Sequence, residues 1–196
     1  MDINSLLGTL LSSDSVSGVS KATKADDNEV QSVLNAALPL LLKGAKKQSE
    51  DKNTAESFAA ALLSHGKKDT SNLSSFLKNV DLDDGSKIIG HLLDNNDDDV
   101  KKIAKSSGVS AKKTGDILSA AAPLLMSLLG QESASKKSNN SAALEIAGAL
   151  LKNVDVGDLI GDLLGGGDNK KKKTSSKKKD NDTAEIIGDI LGSLLK

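Results

Sequence analysis

The chain has 196 residues, 37% of them hydrophobic, 27% charged and 1% aromatic, with a formal net charge of −1. That suffices for one modest aliphatic core, with or without an appendage, and it gives no global field to steer the chain onto nucleic acid or an acidic membrane. With no cysteine there is no disulfide, thiolate metal site or thiol nucleophile, and with lysine as the only strong base the planar guanidinium fork is missing.

Met1-Asp2-Ile3-Asn4 puts an acid where a secretory signal wants positive charge. The least polar run, Ile117 to Leu129, is interrupted by serine and falls short of the roughly 18 residues of a membrane span. The expectation is a soluble, cytoplasmic protein. Leu6, Leu7, Leu10 and Leu11 recur at helical spacing and predict a first helix from Ile3 to Leu11. The polar stretch around Gly18 reads as a break. Val30, Val33, Leu34, Ala37, Leu38, Leu41 and Leu42 form one stripe of a helix from about Asp27 through Lys47, bent or restarted at Pro39.

Asn53 or Thr54 caps a further helix carrying Phe58, Ala59, Ala61, Leu62 and Leu63, which stops at Gly66. Leu73, Phe76, Leu77 and Val80 give a short helix, and Gly85 to Leu93 another. Asp97, Asp98 and Asp99 suit a helix start, where carboxylates meet unpaired N–H groups. Val100, Ile103 and Ala104 are that helix's inner face, and Gly108 closes it. Ser110 caps the next helix, which runs through Pro123 to Gly130. No segment alternates as a strand would, so the fold class is all-α.

Two duplications organise the chain. Val33-Leu34-Asn35-Ala36-Ala37-Leu38-Pro39-Leu40-Leu41-Leu42 returns as Ile117-Leu118-Ser119-Ala120-Ala121-Ala122-Pro123-Leu124-Leu125-Met126, and Ser17-Gly18-Val19-Ser20 recurs upstream as Ser107-Gly108-Val109-Ser110. Leu77-Lys78-Asn79-Val80-Asp81-Leu82 matches Leu151-Lys152-Asn153-Val154-Asp155-Val156. A third element is a hexad of two aliphatics, Gly, any residue and two aliphatics, at Leu6–Leu11, Ile88–Leu93, Leu159–Leu164 and Ile186–Leu191, and loosely at Ile146–Leu151. Glycine there costs a helix about 1 kcal/mol relative to alanine, so its recurrence predicts a neighbouring backbone close by. The organisation read from these features is a tandem helical domain over 1–130 (copies about 1–66 and 67–130). A linker follows at 131–141, a helical extension at 142–167, a Lys-rich linker at 168–182 and an amphipathic helix at 183–196.

The block from Asp84-Gly85-Ser86-Lys87-Ile88-Ile89-Gly90 through the Gly108-Val109-Ser110 turn to Ala120-Ala121-Ala122-Pro123-Leu124-Leu125 resembles a bacterial family known as domain of unknown function 937, with its YidB-like relatives. The resemblance covers about residues 1–130. It implies a small helical, homeodomain-like unit repeated in tandem, and neither an activity nor catalytic residues to carry over.

Ile103 through Ser110 followed by Lys112, Lys113 and Thr114 looks like the turn of a repressor headpiece, whose second helix reads bases. These three residues are the candidate nucleic-acid contacts. The aspartates around Gly85 and Asp94 fail the spacing of a calcium loop. His65 and His91 have no metal-ligand partners at suitable spacing, and no Gly-x-Ser-x-Gly elbow or P-loop occurs. The lysines at 170–173 and 177–179 lack interleaved aromatics for stacking on bases. The reading is a non-enzymatic protein without cofactor, metal or small-molecule substrate, which docks a protein partner or itself. Ile186, Ile187, Ile190 and Leu191 are the candidate docking face. Nucleic-acid binding and membrane-surface association through the last helix are the alternatives.

Overall fold

A computed structural model describes residues 3–93 and 96–136, all within one compact unit. The predicted segments at 142–167, 168–182 and 183–196, including Ile186, Ile187, Ile190 and Leu191, lie outside the described residues. The described chain is all-helical: α1 (Ile3–Leu10), α2 (Ser13–Thr23), α3 (Asp27–Glu50), α4 (Ala55–Gly66), α5 (Leu73–Lys78), α6 (Leu82–Leu92), α7 (Asn96–Ser107) and α8 (Ala111–Lys136).

The helix boundaries follow from local chemistry. Asp81 caps α6 by accepting from the N–H groups of Asp83 and Asp84 at 2.9 and 3.1 Å. The three aspartates 97–99 sit in the first turn of α7, as expected from the helix dipole. Gly108, at φ +72°, closes α7, and the Ser110 hydroxyl accepts from the N–H of Lys113 at 3.4 Å. The stripe predicted for α3 is buried in full, from Val30 to Leu42. Pro39 and Pro123 both lie inside unbroken helices. α8 continues to Lys136, six residues past the stop predicted at Gly130 and into the stretch whose composition reads as a linker.

α8 is the axis of the fold. It is buried on every side from Ala120 to Gly130, the mark of a core helix, and α1, α2, α3, α4, α5, α6 and α7 all pack against it. Leu118, Leu124 and Leu125 are among the largest fully enclosed side chains, each costing about 2–5 kcal/mol if cut to alanine.

Two expectations are corrected. The stretch around Gly18 is no break but the middle of α2, with the side chain of Leu77 filling the place where a Cβ would stand. Ser15 keeps the entry tight by donating to the Thr9 carbonyl at 2.6 Å. The hexad glycines Gly8 and Gly90 meet nothing within 4 Å of a built Cβ, so no neighbouring backbone explains them. Close approach falls on other glycines. Gly44 lies against the Leu92 carbonyl, Gly85 against that of Ser119, and Gly66 and Gly130 against each other where α4 crosses α8.

The repeated tetrapeptides are not counterparts. Ser17–Ser20 lies within α2, whereas Ser107–Ser110 spans the turn between α7 and α8. In the register of the prolines, 84 residues apart (123 − 39), the counterpart of Gly108 is Lys24. Lys24 is also left-handed, at φ 58°. Buried Ala25 then answers to buried Val109, and the cap Asp26 to Ser110.

Candidate functional site

The basic face proposed to contact nucleic acid is spent on carboxylates. Lys113 Nζ reaches both oxygens of Glu29 at 2.8 Å, joining the start of α8 to the start of α3. That hydrogen bond, and then the N–H of Asp26, hold the Glu29 carboxyl below its ordinary range; the same contact raises the Lys113 ammonium. Lys112 pairs with Asp116 at 3.1 Å one turn on. Thr114 is fully buried, its hydroxyl without a partner, and presents nothing to a groove of DNA.

A second cluster joins the end of α4 to the first turn of α6. His65 is buried with Nε2 3.7 Å from Asp84, and Lys68 reaches the same carboxylate oxygen at 3.4 Å. Nδ1 is enclosed without a partner. Burial, then the Lys68 ammonium, pull the imidazole's pKa below its ordinary value, against the pull of Asp84. The imidazole thus sits enclosed between the end of α4 and the first turn of α6, beside Asp84.

Two surface hollows differ in character. The larger, about 460 Å³, lies over Phe76 and Pro123 and is ringed by Lys68, Asp69, Asn72, Ser75, Asn79 and Asp81. Its amides are occupied locally, since Asn72 accepts from the N–H of Ser75 and Asn79 donates to the Ser75 carbonyl. The smaller, about 250 Å³, is a groove between α4 and α6. Phe58 and Ala61 form one wall and Ile88 and Leu92 the other, with Met126 of α8 as the floor. Gln48, Thr54, Ser57 and His91 make the rim.

That rim is fixed. Gln48 donates to the His91 carbonyl at 2.7 Å, so the end of α3 holds the end of α6. Thr54, the N-cap residue of α4, donates to the Gln48 carbonyl at 3.1 Å. Gly44 lets α3 approach the Leu92 carbonyl directly behind the groove wall. Apolar walls on a braced frame, with polar groups confined to the rim, suit the side chains of an incoming amphipathic helix. Sequence reading picked out Phe58, Leu92 and Met126 only as core, because the groove is assembled from four helices and no local spacing marks it.

Among the described residues no helix is long and apolar enough to cross a membrane. The signature of a family described as bacterial protein of unknown function, DUF937, matches residues 5–132 and so takes in the groove and both proline-bearing helices. Neither a curated protein nor a solved structure matches the chain.

Proposed function

We propose that this chain, which belongs to the bacterial DUF937 family, works by docking short amphipathic helices rather than by chemistry of its own. The observation that carries the reading is the groove between α4 and α6. Five apolar residues from three helices, buried or half-buried in the chain alone, leave an opening of about 250 Å³ on a braced frame. An apolar cavity of about 150 Å³ accommodates a benzene, so this one has room for two aliphatic side chains one helical turn apart.

The body that carries the groove is two related helical halves. The shared register of Lys24 with Gly108, Ala25 with Val109, and Pro39 with Pro123 supports a tandem unit, homeodomain-like in its helix–turn–helix order. Ile186, Ile187, Ile190 and Leu191 are the chain's own candidate face toward a protein partner or a second copy.

The test is a titration of a labelled peptide of residues 183–196 into the full chain, followed by anisotropy. Saturable binding is expected, lost in Ala61→Arg and in Ile88→Lys while the helical circular-dichroism spectrum is retained. No saturable binding at millimolar peptide overturns the reading.

A further inference from the structure

We propose that the segment Leu159–Leu164 of this same chain occupies the groove between α4 and α6 and acts as its built-in competitor. This inference rests on the docking reading above. The hexad pattern Leu159-Ile160-Gly161-Asp162-Leu163-Leu164 is that of α1 and α6. In those two helices the aliphatic face is used: Leu6 and Leu10 of α1, and Ile89 and Leu92 of α6, are buried, and both helices pack against α8. The third copy carries the same apolar face. The residues before it also repeat those before α6, with Leu151-Lys152-Asn153-Val154-Asp155 reproducing Leu77 to Asp81.

α8 is the partner of both described hexads, yet it is enclosed on all sides from Ala120 to Gly130. The groove opens onto it at Met126 between apolar walls, whereas the hollow over Pro123 is ringed by polar groups. Ile160 and Leu163 answer to the buried Ile89 and Leu92 of α6, and residues three apart share a helical face. The chain is long enough to return. Met126 to Lys136 is about 15 Å along α8 at roughly 1.5 Å per residue. The 22 residues from 137 to 158 exceed that distance even at a helical rise of about 1.5 Å each. Tethering at that length supplies a millimolar effective concentration, so even weak contacts compete with a free helix.

The sequence contains no cysteine, so two introduced thiols report unambiguously. In full-length chain carrying Ser57→Cys and Leu164→Cys, which borders the inserted face, oxidation is expected to link the two within one chain, leaving monomer mass and faster migration on a non-reducing gel. Adding Ile160→Asp and Leu163→Asp is expected to slow that link at least about tenfold. Absence of a link, or a link formed between chains only, overturns the proposal. The same Ile160→Asp, Leu163→Asp chain, without the thiols, is then titrated with the labelled 183–196 peptide. Binding about tenfold tighter than to the unaltered chain is the expected result. Equal binding to both overturns the competitor while leaving the groove as a receiver. Binding to neither overturns the docking reading itself.

Discussion

Gly85 rests its backbone on the carbonyl oxygen of Ser119, so closely that a Cβ on Gly85 would take the oxygen's place. The reason lies one turn further along α8. Pro123 has no N–H to give to the carbonyl four residues back, which is that of Ser119. The proline leaves an acceptor uncovered, and the glycine brings another helix over it. Gly85→Ala must therefore push α6 off α8 and is expected to cost about 3 kcal/mol, the upper end for overpacking. Gly90→Ala, on the same helix with open space around it, is expected to stabilise by about 0.5–1 kcal/mol. Urea melts of the two variants separate the cases, and equal effects would show that the contact does not constrain α6.

Lys24 and Gly108, spaced as Pro39 and Pro123 are, both hold left-handed backbone, at φ 58° and 72°. Only one of them is the residue that tolerates it. A lysine there carries a Cβ penalty of about 1 kcal/mol or more. Lys24→Gly is expected to raise stability by up to about 1 kcal/mol, reduced by the larger backbone entropy glycine brings to the unfolded state. Gly108→Ala is expected to lower it by about 1 kcal/mol. Thermal melts at one pH check both signs. A destabilising Lys24→Gly would mean that the lysine's contacts outweigh its backbone.

Thr114 and Val30, spaced as the two prolines are, are both at 0% exposure. Val30 suits the place. Thr114 holds a hydroxyl with no partner, and an unsatisfied buried hydroxyl costs about 1–3 kcal/mol. Thr114→Val keeps the shape and removes the cost, so a gain of at least about 1 kcal/mol is expected. Val30→Thr is expected to lose a similar amount. A neutral Thr114→Val would reveal a hydrogen bond to water at that site.

What the sequence showed depended on whether the cause was local. The stripe from Val30 to Leu42 repeats at the helical period and is buried as that period demands. The cap at Ser110 and the aspartates opening α7 are chemistry of adjacent residues, and both were legible. Gly18 was misread because a glycine among serines looks like a turn, and only the side chain of Leu77, far along the chain, shows why α2 continues through it. The matching Ser-Gly-Val-Ser tetrapeptides misled in the same way: identical residues took helix in one place and turn in the other. The spacing of the prolines instead sets left-handed Lys24 against left-handed Gly108. The groove was invisible for a third reason. Its walls are residues 58–61 and 88–92 and its floor is Met126, brought together only by the packing of α4 and α6 on α8.

His65 gives the fold a dependence on pH with a definite sign. Its imidazole is buried with Nδ1 unpartnered, and burial followed by the Lys68 ammonium lowers its pKa, with Asp84 opposing. The folded state therefore takes up the proton less readily than the unfolded chain does. Stability from this group is complete above the unfolded pKa of about 6.5 and is lost as pH falls below it. The melting temperature is expected to fall between pH 7 and pH 5, and to fall less in His65→Gln, which retains a polar side chain without titrating. Asp84→Asn removes the group that favours the charged imidazole and is expected to steepen the fall. The carboxyls of Glu29 and Asp69 are both held below their ordinary values, so their losses begin at lower pH and leave this window to the histidine. Equal slopes in the wild-type chain and His65→Gln would remove the buried imidazole as the source.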